Sequence, residues 1–356
     1  MLNHSSLLSH SSNIVIIHGS ITQSTDSTMP SEQDKNQPND LALADYIRHV
    51  FKDKKDTPLV EQIFHRSISP PMLKRGRKNR ILIYPGCFNP PHIGHLGLLI
   101  HCFRAGQAHL NFIAALICLV NTSVLWKDDF KSSSEALSET VRAKLWNQDP
   151  RFPEWAWIFP EDSGKASDFV AQLREASKKD GFDIDFLSIS GADKFCYGAA
   201  LSLPYWGCFE IITSNISRRN DYIQRDALHQ LEDFEEWEAL PVEGHKKEIP
   251  LDTVSDASPA HANVDVVAAG SQDDILCSKP CKREDIRICR HWAEKSKVIY
   301  FVPSSKLGTE ISSTQLRESL RNQAREIVEK FALSPKLLLE AWRESRCRPT
   351  LRWYYG

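Results

Sequence analysis

The sequence predicts a doubly wound α/β domain, a parallel sheet with helices on both faces. Two observations predict it. From Arg80 onward, apolar strand-like runs alternate with stretches of helical periodicity, which is the pattern of consecutive βα units. The first run, Ile81-Leu82-Ile83-Tyr84, reads as a buried strand; Gly86 opens a turn, Asn89-Pro90-Pro91 stops regular structure, and an apolar helical run through Leu98, Leu99 and Cys102 begins at His95.

Taken in order, the expected elements are a strand at 81–84, a helix at 94–105, a strand at 112–120, a helix at 134–147, a strand at 155–159 and a helix at 168–178. Strands at 184–189, 209–213 and 298–302 follow, then a helix after Ser312. Before this series, residues 1–40 are rich in Ser, Asn, Gln and Asp and are expected to be disordered, since such a composition buries too little surface to repay its ordering entropy. Residues 41–79 read as a helical extension, with Leu43, Tyr46, Ile47, Val50 and Phe51 at helical spacing, followed by the basic run Lys74-Arg75-Gly76-Arg77-Lys78-Asn79-Arg80. That run reads as a solvated linker, with a nuclear localisation signal as the alternative.

Between 221 and 297 the alternation fails. An acidic segment, Leu231-Glu232-Asp233-Phe234-Glu235-Glu236-Trp237-Glu238, is expected to be helical and leads into a Pro, Asp, Ser and Ala tract, so 221–297 reads as a partly disordered insert within a domain spanning 80–345. Residues 346–356 form a C-terminal tail. Cys277, Cys281, Cys289 and His291 are candidate zinc ligands, but their spacing matches none of the common fingers, and ordinary thiols are the preferred reading.

The totals exclude several classes. With 356 residues and 41% hydrophobic content, the chain can bury a substantial core. A formal net charge of −2 supplies no global field toward nucleic acid or an anionic membrane, so phosphate recognition has to be local. No run reaches the roughly 18 to 20 apolar residues of a membrane span. Nine cysteines scattered through apolar runs suit a reducing compartment, and no export signal is evident, so the expected location is cytoplasmic, nuclear or both. Neither G-x-x-x-x-G-K-[ST] nor G-x-G-x-x-G occurs, which leaves kinase and dehydrogenase readings without support.

The chemistry concentrates at the first turn. His92 and His95 straddle Gly94 at a helix start, where unpaired N–H groups and the helix dipole attract anions. Phosphate is the natural guest. Ser312-Ser313-Thr314 stands where a helix cap is expected, and Arg317 one turn later could add a bidentate contact to a phosphate. In the fold rule for open α/β sheets, ligands bind beyond the carboxyl ends of the strands where strand order reverses, and the first strand's loop is such a place.

At Gly86-Cys87-Phe88-Asn89-Pro90 and His92-Ile93-Gly94-His95 the chain resembles the nucleotidyltransferase (cytidylyltransferase-like) superfamily, which carries a G-x-F-x-P-type turn and an H-x-G-H pair. Glu310-Ile311-Ser312-Ser313-Thr314-Gln315-Leu316-Arg317 is similar to the second signature of that superfamily, and Ser190-Gly191-Ala192-Asp193 to a segment of the nicotinamide mononucleotide adenylyltransferases. The resemblance spans 80–345 and points to a fungal-type variant with an insert. It implies a Rossmann-like fold and transfer of AMP from ATP to nicotinamide or nicotinate mononucleotide, releasing pyrophosphate, as a step of NAD biosynthesis. Mg²⁺ would be bound through the substrate phosphates, and no protein metal site is expected.

The resemblance further implies that His92, His95 and Arg317 are catalytic. Gly86, Cys87, Phe88, Ser312, Ser313 and Thr314 would meet the triphosphate, Gly191 and Asp193 the nucleotides, and Lys127 (or Lys131) and Arg218 (or Arg219) the phosphates. Trp155 or Trp206 could stack a pyridine ring, though an aromatic in such a fold is more often core. The partners are small nucleotides, with neither nucleic acid nor membrane, and a homo-oligomer is left open. Two other readings stay open: a cytidylyl- or adenylyltransferase for another phosphomonoester, and an inactive nucleotide-binding regulator.

Overall fold

The computed structural model describes residues 40–52, 61–120, 136–161, 163–191, 207–216, 223–224, 227–241, 281–304 and 311–347, all in the unit Asn39–Gly356. The segment 1–40 expected to be disordered falls outside them except for Asp40, and of the expected tail 346–356 only residues 346 and 347 are described.

The main sheet has eight strands. Its parallel part comprises β3 (Lys78–Gly86), β4 (Phe112–Leu119), β5 (Ala156–Ile158), β6 (Asp183–Ile189), β7 (Glu210–Ser214) and β12 (Val298–Val302). Their spatial order, β5-β4-β3-β6-β7-β12, is 3-2-1-4-5-6 in chain order, the doubly wound Rossmann arrangement. Strand order reverses between β3 and β6, which pair from Lys78↔Asp183 to Ile83↔Ser188. The loops after β3 and β6 therefore open on the crevice where such sheets bind ligands.

Each parallel strand carries buried residues on both faces. Leu82 and Tyr84 of β3 pack into one core with α2 (Ile93–His109), α3 (Glu139–Asn147), α5 (Ser313–Arg321), α6 (Arg325–Phe331) and α7 (Pro335–Cys347). Ile81 and Ile83 face the opposite core, with α1 (Leu43–Val50) and α4 (Ala166–Lys179). The 41–79 extension thus shares the domain's core: Tyr46 donates to Asp180 at 2.6 Å, and β1 (Asp40–Ala42) pairs with β2 (Met72–Lys74). α2 is buried almost all round, and a side chain at Gly106 would overlap the Phe112 ring at 2.0 Å, so only glycine lets helix and strand meet there. No helix of the described residues is long and apolar enough to cross a membrane.

Three expectations are corrected. The basic run is no linker, because it closes β2 and enters β3: Arg80 lies 3.4 Å from Glu210, Lys78 lies 3.2 Å from Asp185, and Arg75 covers the Phe182 ring, while Lys74, Gly76, Arg77 and Lys78 are exposed, as a solvated face requires. Residues 231–238 form no helix. Asp233 takes a left-handed φ of 66°, and Leu231 and Phe234 turn inward onto Ile211, Cys289 and Ile299. The segment ends in β10 (Glu238–Ala239), after a two-residue pair β8 (Ile223–Gln224) and β9 (Ala227–Leu228). The presumed insert accordingly supplies part of the sheet, as β10 pairs with β11 (Arg287–Arg290) and β11 with β12, both antiparallel.

Cys102, Cys118 and Cys208 are buried thiols in the two cores, as expected. Cys281 packs against the α2 side of the sheet and Cys289 in a separate cluster with Phe234, so these two cannot share a metal; Cys277 is outside the described residues. His291 caps its own turn, its Nδ1 accepting from Ala293 and Glu294 N–H. Among the described residues no three metal-binding side chains converge.

Candidate active site

The site grows from the end of β3. Gly86 closes the strand, and its carbonyl accepts from Val120 N–H at the end of β4. A Cβ at Gly86 would lie 2.5 Å from the Phe88 ring, so glycine is needed for that ring to fold back against the strand. Phe88 has a left-handed φ of 44° and is wedged edge-on against Tyr84 and His95, both at 4.9 Å, and against Trp146 at 5.3 Å. The Asn89–Pro90 peptide is cis. Together these turn the chain so that His92 arrives as the N-cap of α2.

The two histidines form the cap. His92 Nδ1 accepts from Gly94 N–H at 3.2 Å, and His95 Nδ1 accepts from His92 N–H at 3.3 Å. A side chain on Gly94 would press on His92 Nδ1 at 3.0 Å. The rings stack with centroids 3.6 Å apart and planes 25° from parallel. A ring nitrogen that accepts carries no proton, and two cationic rings at this spacing would repel. The arrangement is that of neutral imidazoles protonated at Nε2, two donors at the amino end of a buried helix.

The second motif is brought onto the same turn. Ser312 caps α5: its hydroxyl accepts from Gln315 N–H at 3.1 Å, while Gln315 Oε1 accepts from Ser312 N–H at 2.8 Å. Ser313 Oγ donates to the Pro90 carbonyl at 2.9 Å. Arg317 donates to the Asn89 carbonyl at 2.6 Å and to Thr314 Oγ1 at 3.1 Å. Leu333 N–H donates to the Pro91 carbonyl, and Ala332 bridges to His92. In this structure the expected phosphate ligands of α5 hold the turn that carries the histidines.

Of the sequence-derived candidates, Gly86, Cys87, Phe88, His92, His95, Ser312, Ser313, Thr314 and Arg317 thus converge on one turn. Gly191 follows β6, the neighbour of β3. Asp193, Lys127, Lys131, Arg218, Arg219 and Trp206 lie outside the described residues. Trp155 takes the core role, the more common one for an aromatic in such a fold: it precedes β5, at the opposite end of the sheet, and stacks on Phe103 with centroids 3.5 Å apart.

Sequence reasoning missed the supports. Arg142 of α3 is fully buried and donates to the carbonyls of Cys87 (2.5 Å), Val120 (3.0 Å) and Leu137 (3.2 Å). Asn89 Oδ1 accepts from Leu137 N–H at 3.0 Å. Asn215, after β7, exchanges two bonds with the backbone of Ser304, after β12, joining two more carboxyl-end loops. Burial lowers the pKa of His101, whose Nε2 lies 3.3 Å from the Pro303 carbonyl.

Residues 83–163, which run from β3 through this turn and α3 to the start of the β5–α4 connection, match a family model. The matching model is described as cytidylyltransferase-like. The matched stretch holds the whole first motif and the helix that supports it. No curated protein sequence matches the chain. Solved structures that resemble it include two of Plasmodium falciparum nicotinic acid mononucleotide adenylyltransferase. In the complex with APC, 76% of this chain aligns with 96% of that one at 16% identity and a TM-score of 0.36. In the complex with NaAD, 76% aligns with 97% at 15% identity and a TM-score of 0.37.

Proposed function

We propose that this protein is an adenylyltransferase that joins ATP to nicotinamide mononucleotide, or to its acid form, and releases pyrophosphate. The observation that carries the transfer chemistry is the stacked His92–His95 pair capping α2 at the strand-order reversal, with α5 drawn onto the same turn. In the reaction a phosphate oxygen of the acceptor attacks the α-phosphorus of ATP, the bond from that phosphorus to the bridging oxygen breaks, and pyrophosphate leaves. No protein nucleophile is required. The protein's task is to align two anions and stabilise charge on phosphoryl oxygens.

His92 and His95 would donate through Nε2 to the triphosphate, aided by the α2 amino end. Arg317 and the Ser312-Ser313-Thr314 cap would face the same phosphates from α5. Asp193 and Gly191 would contact the nucleotides, and Lys127 and Arg218 the phosphates. Mg²⁺ prefers oxygen ligands, and the two Nδ1 atoms already accept backbone N–H groups, so the pair is not its holder. The ion would travel on the triphosphate and neutralise it there, in a cytoplasmic or nuclear setting.

The choice of acceptor is supported by the Gly191-Ala192-Asp193 segment after β6. The test is pyrophosphate release with Mg²⁺, ATP or CTP, and a panel of phosphomonoesters. The mononucleotide with ATP should be the best pair. Preference for CTP, which the cytidylyltransferase-like match of 83–163 keeps in view, or release with phosphopantetheine alone, would replace this reading. Nucleotide binding without any release would make the protein a regulatory module.

A further inference from the structure

Arg142 is an arginine with no side-chain surface exposed and no carboxylate in ion-pair range among the described residues. Its hydrogen bonds go to three neutral carbonyls. A buried cation is costly unless something repays it, and carbonyl dipoles repay it only in part. Burial lowers its pKa, as expected for a charge held out of water, and the Glu139 carboxylate one turn earlier on α3 opposes that shift without cancelling it.

The three carbonyls belong to three separate pieces of chain. Cys87 is in the loop after β3, Val120 follows β4, and Leu137 leads into α3. The fork of one guanidinium, whose donors are fixed in a plane, therefore sets the spacing between the first and second carboxyl-end loops. The Cys87–Phe88 peptide is trans, so its carbonyl and N–H point to opposite sides. Drawing the Cys87 carbonyl onto Arg142 turns the Phe88 N–H the other way. That N–H takes no hydrogen-bond partner among the described residues.

Resting on the proposed nucleotidyl transfer, we infer that Arg142 is a positioning residue for the triphosphate: from beneath the loop it aims the Phe88 N–H at the anion and leaves its own charge for that anion to balance. It touches no reacting atom. An ion pair with a carboxylate would cancel that charge, whereas carbonyl partners leave it in place under the loop. Lysine at this position keeps the charge but cannot reach three carbonyls at once.

The experiment measures inorganic tripolyphosphate binding by calorimetry, beside the thermal midpoint, for the full chain, for Arg142→Lys and for Leu173→Ala. Leu173 is fully buried in the core on the other face of the sheet and serves as a purely structural control. Arg142→Lys should weaken tripolyphosphate by at least about tenfold. Leu173→Ala should lower the midpoint and leave binding unchanged. Equal affinity in wild type and Arg142→Lys overturns the inference while sparing the proposed function. Failure of the wild type to bind tripolyphosphate or ATP removes that function and the inference with it. If the lysine variant does not fold, hydrogen exchange on the wild type decides: tripolyphosphate should slow exchange in the peptide containing Phe88, and an unchanged rate overturns the inference.

Discussion

Arg317 donates to the carbonyl of Asn89 at 2.6 Å across 228 positions of sequence, and this bond joins the two halves of the candidate site. The same guanidinium also reaches Thr314 Oγ1, so its fork ties the first turn of α5 to the turn that delivers His92. Arg317→Lys keeps one donor and loses the fork. It should lower kcat/KM by about tenfold, and Arg317→Ala by about a hundredfold, with a small fall in thermal midpoint. Steady-state pyrophosphate release measures both; full activity in the alanine variant would show that the bond has no part in the reaction.

His95→Ala should reduce kcat at least about a hundredfold, since it removes a donor aimed at developing phosphoryl charge. Its structural cost is modest. The side chain supplies a weak cap bond at 3.3 Å, a ring for His92 to stack on and an edge contact to Phe88, worth about 1 to 2 kcal/mol together. His92→Ala should act in the same direction but cost more stability, because its ring is buried and accepts from Gly94 N–H. The double variant should lose less than the sum of the two losses, as the rings support one another. Full additivity in kcat would argue against a single shared phosphate site.

Gly86→Ala would be the smallest change to the turn. The added carbon lies 2.5, 2.8 and 2.9 Å from three atoms of the Phe88 ring, and that ring is held by Tyr84, His95 and Trp146. Relief requires Phe88 to move, and His95 loses its edge contact when it does. The expected loss is about 1 to 3 kcal/mol in denaturant unfolding, with turnover reduced even at temperatures where the variant is folded. A variant with unchanged stability and turnover would show that Phe88 has room the packing does not suggest.

The turn was legible because its chemistry is local: a glycine, two prolines and two histidines three apart specify cap, kink and ring stack within ten residues. The parallel strands were legible for a related reason, since each is apolar on both faces. Arg142 was not. It sits in a helix among Ala143, Leu145 and Trp146, and only tertiary packing decides whether a charged residue there is inside. Residues 231–238 misled because Leu231, Phe234 and Trp237, three apart, suit a helix as well as they suit a turn. The outcome was set by Asp233 and by pairing with a segment some fifty residues on, as in Glu238↔Ile288. Strands as short as β10 carry too few residues for a period to show.

The last prediction concerns acid. Asp149, whose side chain is 1% exposed, accepts from Arg151 Nε and Nη2, each at 2.8 Å, and from Ser334 N–H at 2.8 Å, so it fastens the start of α7 beside the strand partner of His92. Burial alone would raise its carboxyl, but the Arg151 and Ser334 bonds outweigh burial and hold it below its ordinary value of 3.8. A depressed carboxyl stabilises the fold fully above its unfolded value, and that contribution fades as pH falls through the folded one. Asp149→Asn keeps the shape and removes the charge, leaving Arg151 half-paired, at a cost of about 1 to 3 kcal/mol near neutral pH. The gap in stability between wild type and variant should therefore be constant above about pH 5 and close as pH drops below about 4. Urea titrations at a series of pH values read this directly, and a gap that persists unchanged to about pH 3 would mean that the carboxylate's charge is not what holds α7 against the site.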